Sequence, residues 1–387
     1  MTSAAAVIER ADAALAAGDL SAANRLLQPL ADDERKHARL AEIARRLGFD
    51  RPVPPPDPAF HLIRAWGAGF WGDMMHVALQ LALADGLGRV PLVHWGRESR
   101  YRRPGTMNAW ELYFEPVSIA TLDDLQRPGL SFFPPKWTAG NLRTPRLNKD
   151  AGEWSRMSVL YFWNRPESVT VADFYTEPDD IFPWSPRWAG IDPETVLGRI
   201  YRERVVLKPY LAVMLDRLAG ELLDRRPMLA IHYRAPAFVK MLEARDKDTV
   251  DVAAYVAAID RFLDAHPEGG LYLMTDYAPA VSDFVTRYGG RVKRREVTRL
   301  ADAGQQSLEY LTDLDGRTLA VEVILDVHLA ARCEAFVGDG ASGVSIAVRR
   351  LKEWPQGAVT LFRAPGAWPA GQVRQHSDPS PWWNPPS

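Results

Sequence analysis

Apolar positions along this chain follow two periods, and the change from one to the other marks its elements. Over residues 3–48 the spacing is helical and predicts three short amphipathic helices. Ala11, Ala14, Leu15, Ala22, Leu26 and Leu27 flank a Gly18-Asp19 turn, as in a single helical-hairpin repeat. One repeat cannot bury its own face, so this segment must pack on the main body or on a partner. Pro52, Pro54, Pro55, Pro56 and Pro58 then form a stiff linker. A short apolar strand is predicted at 60–65, a helix at 74–86 and a second strand at 90–95. From about 100 to 190 the pattern is irregular and rich in Trp, Pro and Tyr, which predicts long loops and a surface for substrate. Residues 196–223 read as helix interrupted by Pro209, a link between two halves.

The second half alternates strictly. Strands are predicted at 228–233, 271–275, near 291–294, at 335–337 and at 358–363. Helices are predicted at 252–265, 278–288, through 321–331 and at 344–351. Such alternation argues for a parallel, doubly wound sheet. The expected organisation is a helical segment over 1–50, a first α/β domain over 59–210, a second over 226–365 and a Pro/Trp-rich tail over 366–387.

Ligands bind parallel sheets at the carboxyl ends of the strands. Arg234, Asp276 and the turn Gly338-Asp339-Gly340-Ala341-Ser342-Gly343 all map to that edge of the second half. The turn aims backbone N–H groups and the Ser342 hydroxyl at one spot at the positive end of a helix, which suits an anion such as a diphosphate. An ordinary βα connection uses glycines in the same way. Gly67, Gly69 and Gly72 satisfy a G-x-G-x-x-G spacing. The following strand nevertheless ends in His94 and Trp95, where a dinucleotide site needs an acidic group for the ribose, so a nicotinamide cofactor is rejected.

Composition narrows the field. The 387 residues are 47% hydrophobic and carry a net charge of -2, which leaves no basic footprint for nucleic acid. Cys333 is the single cysteine, so neither an intramolecular disulfide nor a multi-cysteine zinc site is possible. No apolar run has the length of a signal peptide's core or a membrane span, and the expected location is cytoplasmic. The thirteen tryptophans are read first as core, although Trp66, Trp71, Trp95 and Trp110 stand where they could stack on a sugar. Asp313-Leu314-Asp315-Gly316 imitates part of a calcium loop but lacks its later ligands, and reads as a turn. Lys293-Arg294-Arg295 reads as a solvated strand end.

Four pieces then occur in a meaningful order: GAGFWGDMMHVALQLALADGLGR, IHYR, LMTD and ILDVHLAARCEAFVGDGASG. Together, over roughly 60–95 and 226–352, they resemble the fucosyltransferase superfamily, which includes the α-1,6-fucosyltransferases, the nodulation fucosyltransferases and the protein O-fucosyltransferases. The resemblance implies an α/β GT-B fold, with two Rossmann-like domains facing across a cleft, and inverting, metal-independent transfer from a nucleotide sugar, foremost GDP-fucose. It implies a glycan, lipid-linked saccharide or protein acceptor and no cofactor besides the donor. Arg234 would bind the diphosphate, His232 would touch the nucleotide, Asp276 would hydrogen-bond it and Asp326 would read guanine. Ser342 with Gly343 would hold a phosphate. Gly69, Gly72 and Asp73 would face the donor sugar. Where relatives carry polar residues after the H-x-R arginine, this chain has Ala235-Pro236-Ala237-Phe238, and Asp276 is followed by Tyr277. Those departures keep open another nucleotide sugar, or an inactive nucleotide-binding scaffold. A different α/β enzyme taking a phosphorylated metabolite is a third reading. For the acceptor's proton the candidate bases are Asp73, Glu111 and Glu243. Each residue also has a structural reading: His232 as a core histidine, Arg234 as an ion-pair partner, Asp276 as a helix cap.

Overall fold

The computed structural model describes residues 3–51, 53–67, 69–145, 155–157, 159–173, 176, 178–224, 227–234, 251–302, 308, 311, 313–363 and 374–376. Pro52, Ala68, Arg226, the Ala235–Phe238 departure (235–238), Glu243 and all of the tail except 374–376 lie outside them.

The chain begins with three helices, α1 (Ala4–Ala16), α2 (Leu20–Leu27) and α3 (Glu34–Arg46). Ser3, Asp19 and Asp33 cap them through their side-chain oxygens. Of the two docking possibilities for this hairpin, the structure shows the main body. Asn24 Nδ2 donates to Asp180 Oδ1 at 3.0 Å and to the Asp179 carbonyl at 2.9 Å, and Trp184 Nε1 donates to Asn24 Oδ1 at 3.2 Å. Ile8, Ala11, Leu15, Leu27 and Ile43 join the central core.

β1 (Phe60–Arg64), the long helix α4 (Phe70–Leu87) and β2 (Val90–His94) follow. β3 (Phe132–Phe133), β4 (Ser155–Met157) and β5 (Val169–Ala172) are short. The first sheet is parallel with order β2-β1-β5-β3. Sequence patterning saw loops where β5 lies, yet β5 sits beside β1 with every residue buried. A four-residue strand is too brief for a period to register. One face of the sheet, with Ile63, Val93 and Ala172, packs with α4 residues Met74, Val77 and Leu81. The other, with Phe60, Leu62, Leu92 and Val171, is covered by loop residues Leu125, Trp137 and Leu142.

α5 (Pro193–Arg204) and α6 (Pro209–Leu222) divide at Pro209, which begins α6, where a missing N–H costs nothing. The second half then runs β6 (Met228–Tyr233), α7 (Val252–Ala265), β7 (Gly270–Thr275), α8 (Ala278–Tyr288), β8 (Val292–Lys293), α9 (Gly316–Ala331), β9 (Ala335–Gly338), α10 (Gly343–Arg350) and β10 (Val359–Leu361). Its sheet is parallel, ordered β10-β9-β6-β7-β8. β11 (Arg374–His376) pairs in parallel with β4. Alternate strand residues face opposite ways. Met228, Ala230, Tyr272 and Phe336 join α9 and α10 in the central core, whereas Leu229, Ile231, Leu271 and Leu273 pack with Tyr255, Ile259 and Phe284 of α7 and α8. Asp315 caps α9, accepting from Thr318 N at 3.0 Å, which accounts for the calcium-loop imitation. Among the described residues, no helix is long and apolar enough to cross a membrane.

Candidate functional site

The carboxyl edge of the second sheet carries the candidate site. His232, on β6, is in register with Gly338 on one side and Met274 on the other. Arg234 lies two residues beyond His232. It therefore projects from the edge between the β9 turn and the end of β7, with each neighbouring strand roughly 4.8 Å away. Its Nη1 pairs with Asp276 Oδ2 at 2.6 Å, and the side chains are 14% and 11% exposed. The reading of Asp276 as a helix cap does not hold, since the residue before α8 is Tyr277 and no side chain caps that helix. Asp276 instead fixes the guanidinium, which is a charge-assisted contact.

The turn after β9 is built around its own carboxylate. Asp339 Oδ1 accepts from Ala341 N at 2.9 Å and from Arg363 Nε at 2.7 Å. Asp339 and Arg363 were not singled out from the sequence. The signal for Asp339 lies in the turn itself; for Arg363 there was none. Ser342 occupies the N-cap position of α10 but makes no capping bond with its side chain, and it is 5% exposed. The first N–H groups of a helix have no intrahelical partner, so this terminus retains donors and a partial positive charge.

His232 makes a structural contact with one ring nitrogen. Its Nδ1 lies 2.8 Å from Ser345 Oγ on α10, and burial, then Arg234, lowers its pKa to about 3. The neutral ring ties β6 to α10. Asp326 is held by Tyr272 Oη at 2.9 Å and by Arg295 Nη1 at 3.0 Å, both on Oδ1. Burial raises its pKa while Arg295 opposes the rise. Arg295 is thus no solvated strand end: it is 11% exposed and forms a buried pair with Asp326.

The glycine loop of the first half reaches this edge. Gly69 precedes α4, and its carbonyl accepts from Gly72 N at 2.8 Å. Asp73 does not stand open as a base would: it is 1% exposed, and its Oδ1 accepts from Gly67 N at 2.8 Å, closing the loop. Gly343 packs directly against that loop. A Cβ there would lie 3.2 Å from the Trp71 carbonyl carbon and 3.4 Å from Gly72 N. The N-termini of α4 and α10 therefore abut, and their positive ends converge on one place. Trp71 Nε1 also donates to the Val323 carbonyl of α9 at 3.4 Å. Trp66, Trp71, Trp95 and Trp110 are at most 2% exposed and serve the core. Glu111 is exposed and accepts at 2.9 Å from Asn108 Nδ2, which also donates to the Val93 carbonyl near the end of β2.

The first sheet presents its own carboxyl edge, which sequence reasoning missed. His94 pairs in register with Arg64, and Asp173 follows Ala172, the partner of Ile63. Three neighbouring strands therefore end in a row of polar side chains, with the signal visible in FHLIR, VPLVH and VTVAD. Arg64 Nη2 pairs with Glu98 Oε1 at 2.8 Å, and Lys136 Nζ with Asp173 Oδ1 at 3.5 Å, all nearly fully buried. Burial lowers Lys136 to about 8 against the pull of Asp173. Burial, then Arg64 and Arg143, lowers His94 to about 4.

No protein-family model matches the chain, and no curated protein matches it in sequence. Solved structures do share its architecture. A NodZ alpha-1,6-fucosyltransferase soaked with GDP-fucose is similar with a TM-score of 0.50 at 17% identity, over 76% of this chain and 92% of that one. The fucosyltransferase NodZ from Bradyrhizobium is similar with a TM-score of 0.50 at 18% identity, over 80% and 97%. POFUT1 in complex with GDP is more distant, with a TM-score of 0.42 at 12% identity over 79% and 98%. The fold is of the GT-B type, two parallel α/β sheets facing across a cleft.

Proposed function

We propose that the chain is a glycosyltransferase that moves a sugar, foremost fucose, from a GDP-sugar to an acceptor hydroxyl with inversion. The observation that supports this best is the placement of Arg234, on the middle strand of the second sheet's edge, flanked by Asp276 and by the N-terminus of α10. In an inverting transfer, negative charge grows on the leaving diphosphate as its bond to the anomeric carbon breaks. Preorganised donors aimed at that charge lower the barrier. Arg234 offers a planar fork already oriented by Asp276, and the α10 terminus offers N–H groups and the Ser342 hydroxyl. The N-terminus of α4 beside it adds a second partial positive charge. The likeness in fold to a NodZ structure soaked with GDP-fucose supports the choice of donor.

In this reading the diphosphate lies across Arg234, Ser342 and Gly343. Guanine reaches Asp326 through Oδ2, because the bonds from Tyr272 and Arg295 both fall on Oδ1. His232 and Asp73 hold the site's walls, and Gly69 and Gly72 let the α4 terminus approach the sugar. The first test is thermal shift against GDP, UDP, CMP and ADP. A folded-state ligand at a hundredfold excess over its Kd stabilises by roughly 2.7 kcal/mol, so the preferred base stands out in melting temperature. A shift largest with GDP supports the reading, and equal shifts with all four contradict the guanine assignment.

The inactive-scaffold reading has one specific support: His232 and Asp326 both have internal partners already. GDP binding without release of fucose from GDP-fucose would favour it.

A further inference from the structure

Two helix ends touch at the anion site, so whatever fixes their contact fixes the site. Gly343, the first residue of α10, packs on Trp71 in the first turn of α4. α10 is short, eight residues, and α5 holds its far end. Arg350, its last residue, donates from Nε to Glu194 Oε2 at 3.2 Å and from Nη2 to Glu194 Oε1. The Arg350 side chain is 7% exposed, so this pair lies largely out of water. Arg202 Nη1 donates to the Arg350 carbonyl at 3.3 Å, and a Cβ on Gly198 would stand 3.6 Å from the same oxygen.

One ring joins the two ends of α10. Helical side chains lean towards their own N-terminus, which directs Arg350 back along its helix. Its guanidinium lies 5.7 Å from the centroid of the Tyr201 ring of α5. Tyr201 in turn stacks on Trp71, with centroids 6.2 Å apart and planes 20° from parallel. Both rings are buried. The contacts therefore close a circuit, from Gly343 to Trp71, Tyr201 and Arg350, with Glu194 holding Arg350 in place. At its other end α5 is tied to α4, where Arg204 Nη1 donates to Asp85 Oδ1 at 2.9 Å.

Resting on the diphosphate reading above, we propose that Tyr201, Arg350 and Glu194 are positioning residues for the donor site. They stand on α5 and in the last turn of α10, and they act through the helix. By fixing α10 against α4 they keep the N–H groups of the α10 terminus and the Ser342 hydroxyl aimed at the diphosphate. Such donors are effective only when aimed before the ligand arrives, and a displacement of about 1 Å removes much of their effect. Guanosine carries no phosphate and makes no use of that terminus, so its binding is insensitive to the aim.

The test compares two ligands. GDP is titrated by calorimetry and guanosine by nuclear magnetic resonance into the wild type, Tyr201→Leu, Tyr201→Phe, Arg350→Met and Glu194→Gln. Tyr201→Leu and Arg350→Met should each lower GDP affinity by about tenfold and leave guanosine affinity unchanged. Glu194→Gln, whose amide oxygen still accepts one bond from Arg350, should fall between them and the wild type. Tyr201→Phe keeps the ring and should keep the affinity. A general loosening of the fold would weaken both ligands alike, so the ratio of the two affinities separates positioning from stability. Where Tyr201→Leu or Arg350→Met does not fold, Glu194→Gln carries the test, since the Glu194 side chain is 29% exposed. Equal weakening of both ligands, unchanged GDP affinity in the folded variants, or the full loss in Tyr201→Phe would overturn the proposal. A wild type that binds GDP no better than guanosine, or binds neither, is a separate result and would overturn the diphosphate reading instead.

Discussion

Arg234 is the residue on which donor chemistry turns. Arg234→Ala should leave the protein folded, judged by an unchanged circular dichroism spectrum, and lower transfer by at least a hundredfold, about 3 kcal/mol of barrier. Arg234→Lys should not restore it, because an ammonium lacks the fork that Asp276 orients. Near-wild-type turnover in the alanine variant would make Arg234 a partner of Asp276 and nothing more. Asp326→Asn tests the base side. It leaves Arg295 buried without its countercharge, so stability should fall by about 3 kcal/mol in urea unfolding, with the preference for GDP over ADP lost as well. Unchanged stability would mean that the pair is not buried in solution. At this scale the sequence located the edge residues but not their partners. Arg234 and Asp276 were legible because both follow apolar strands. That they pair with each other, and that Asp326 pairs with Arg295, depends on contacts 42 and 31 residues apart, which no local pattern encodes. The row His94, Arg64 and Asp173 escaped for the same reason: Arg64 and His94 end β1 and β2, Asp173 follows β5, and only the pairing of the strands lines them up.

Among the elements, the helices of the second half and its strands β6 and β7 were legible because they are long enough to show a period. Helix α7 falls at 252–265 as the spacing predicts, and α8 at 278–288. The first half was harder to read. Its sheet is covered on one face by loops, and β5 is only four residues long. Val169, Thr170 and Val171 suit a strand, and burial beside β1 lets so short a segment become one. Glycines at element starts hold the two halves together. A Cβ on Gly316, the first residue of α9, would stand 2.0 Å from the Arg100 carbonyl oxygen, a backbone atom of the first half. Gly316→Ala should therefore destabilise the fold by about 3 kcal/mol, read as a lowered urea midpoint at unchanged slope. An unaltered midpoint would show that the 100–103 loop yields freely.

Across the whole molecule, buried neutral histidines set the response to acid. His61 and His232 are lowered to about 3, and His94 and His328 to about 4, burial being the main cause in each. In the unfolded chain each titrates near 6.5. Between those values the unfolded state binds more protons, so stability is full above about pH 6.5 and falls as the pH drops towards 4. Each such histidine contributes a slope of about 1.4 kcal/mol per pH unit, and the melting temperature should decline steeply between pH 6.5 and 5. A flat profile there would mean that these rings are hydrated. The central claim concerns the cleft between the two sheets. It is tested most directly by calorimetric titration of GDP into the wild type and Arg234→Ala, each with and without EDTA. The account predicts GDP binding by the wild type that EDTA does not change, and a loss of affinity of tenfold or more in Arg234→Ala, about 1.4 kcal/mol. Binding that chelation abolishes, or equal affinity in the two proteins, would contradict it.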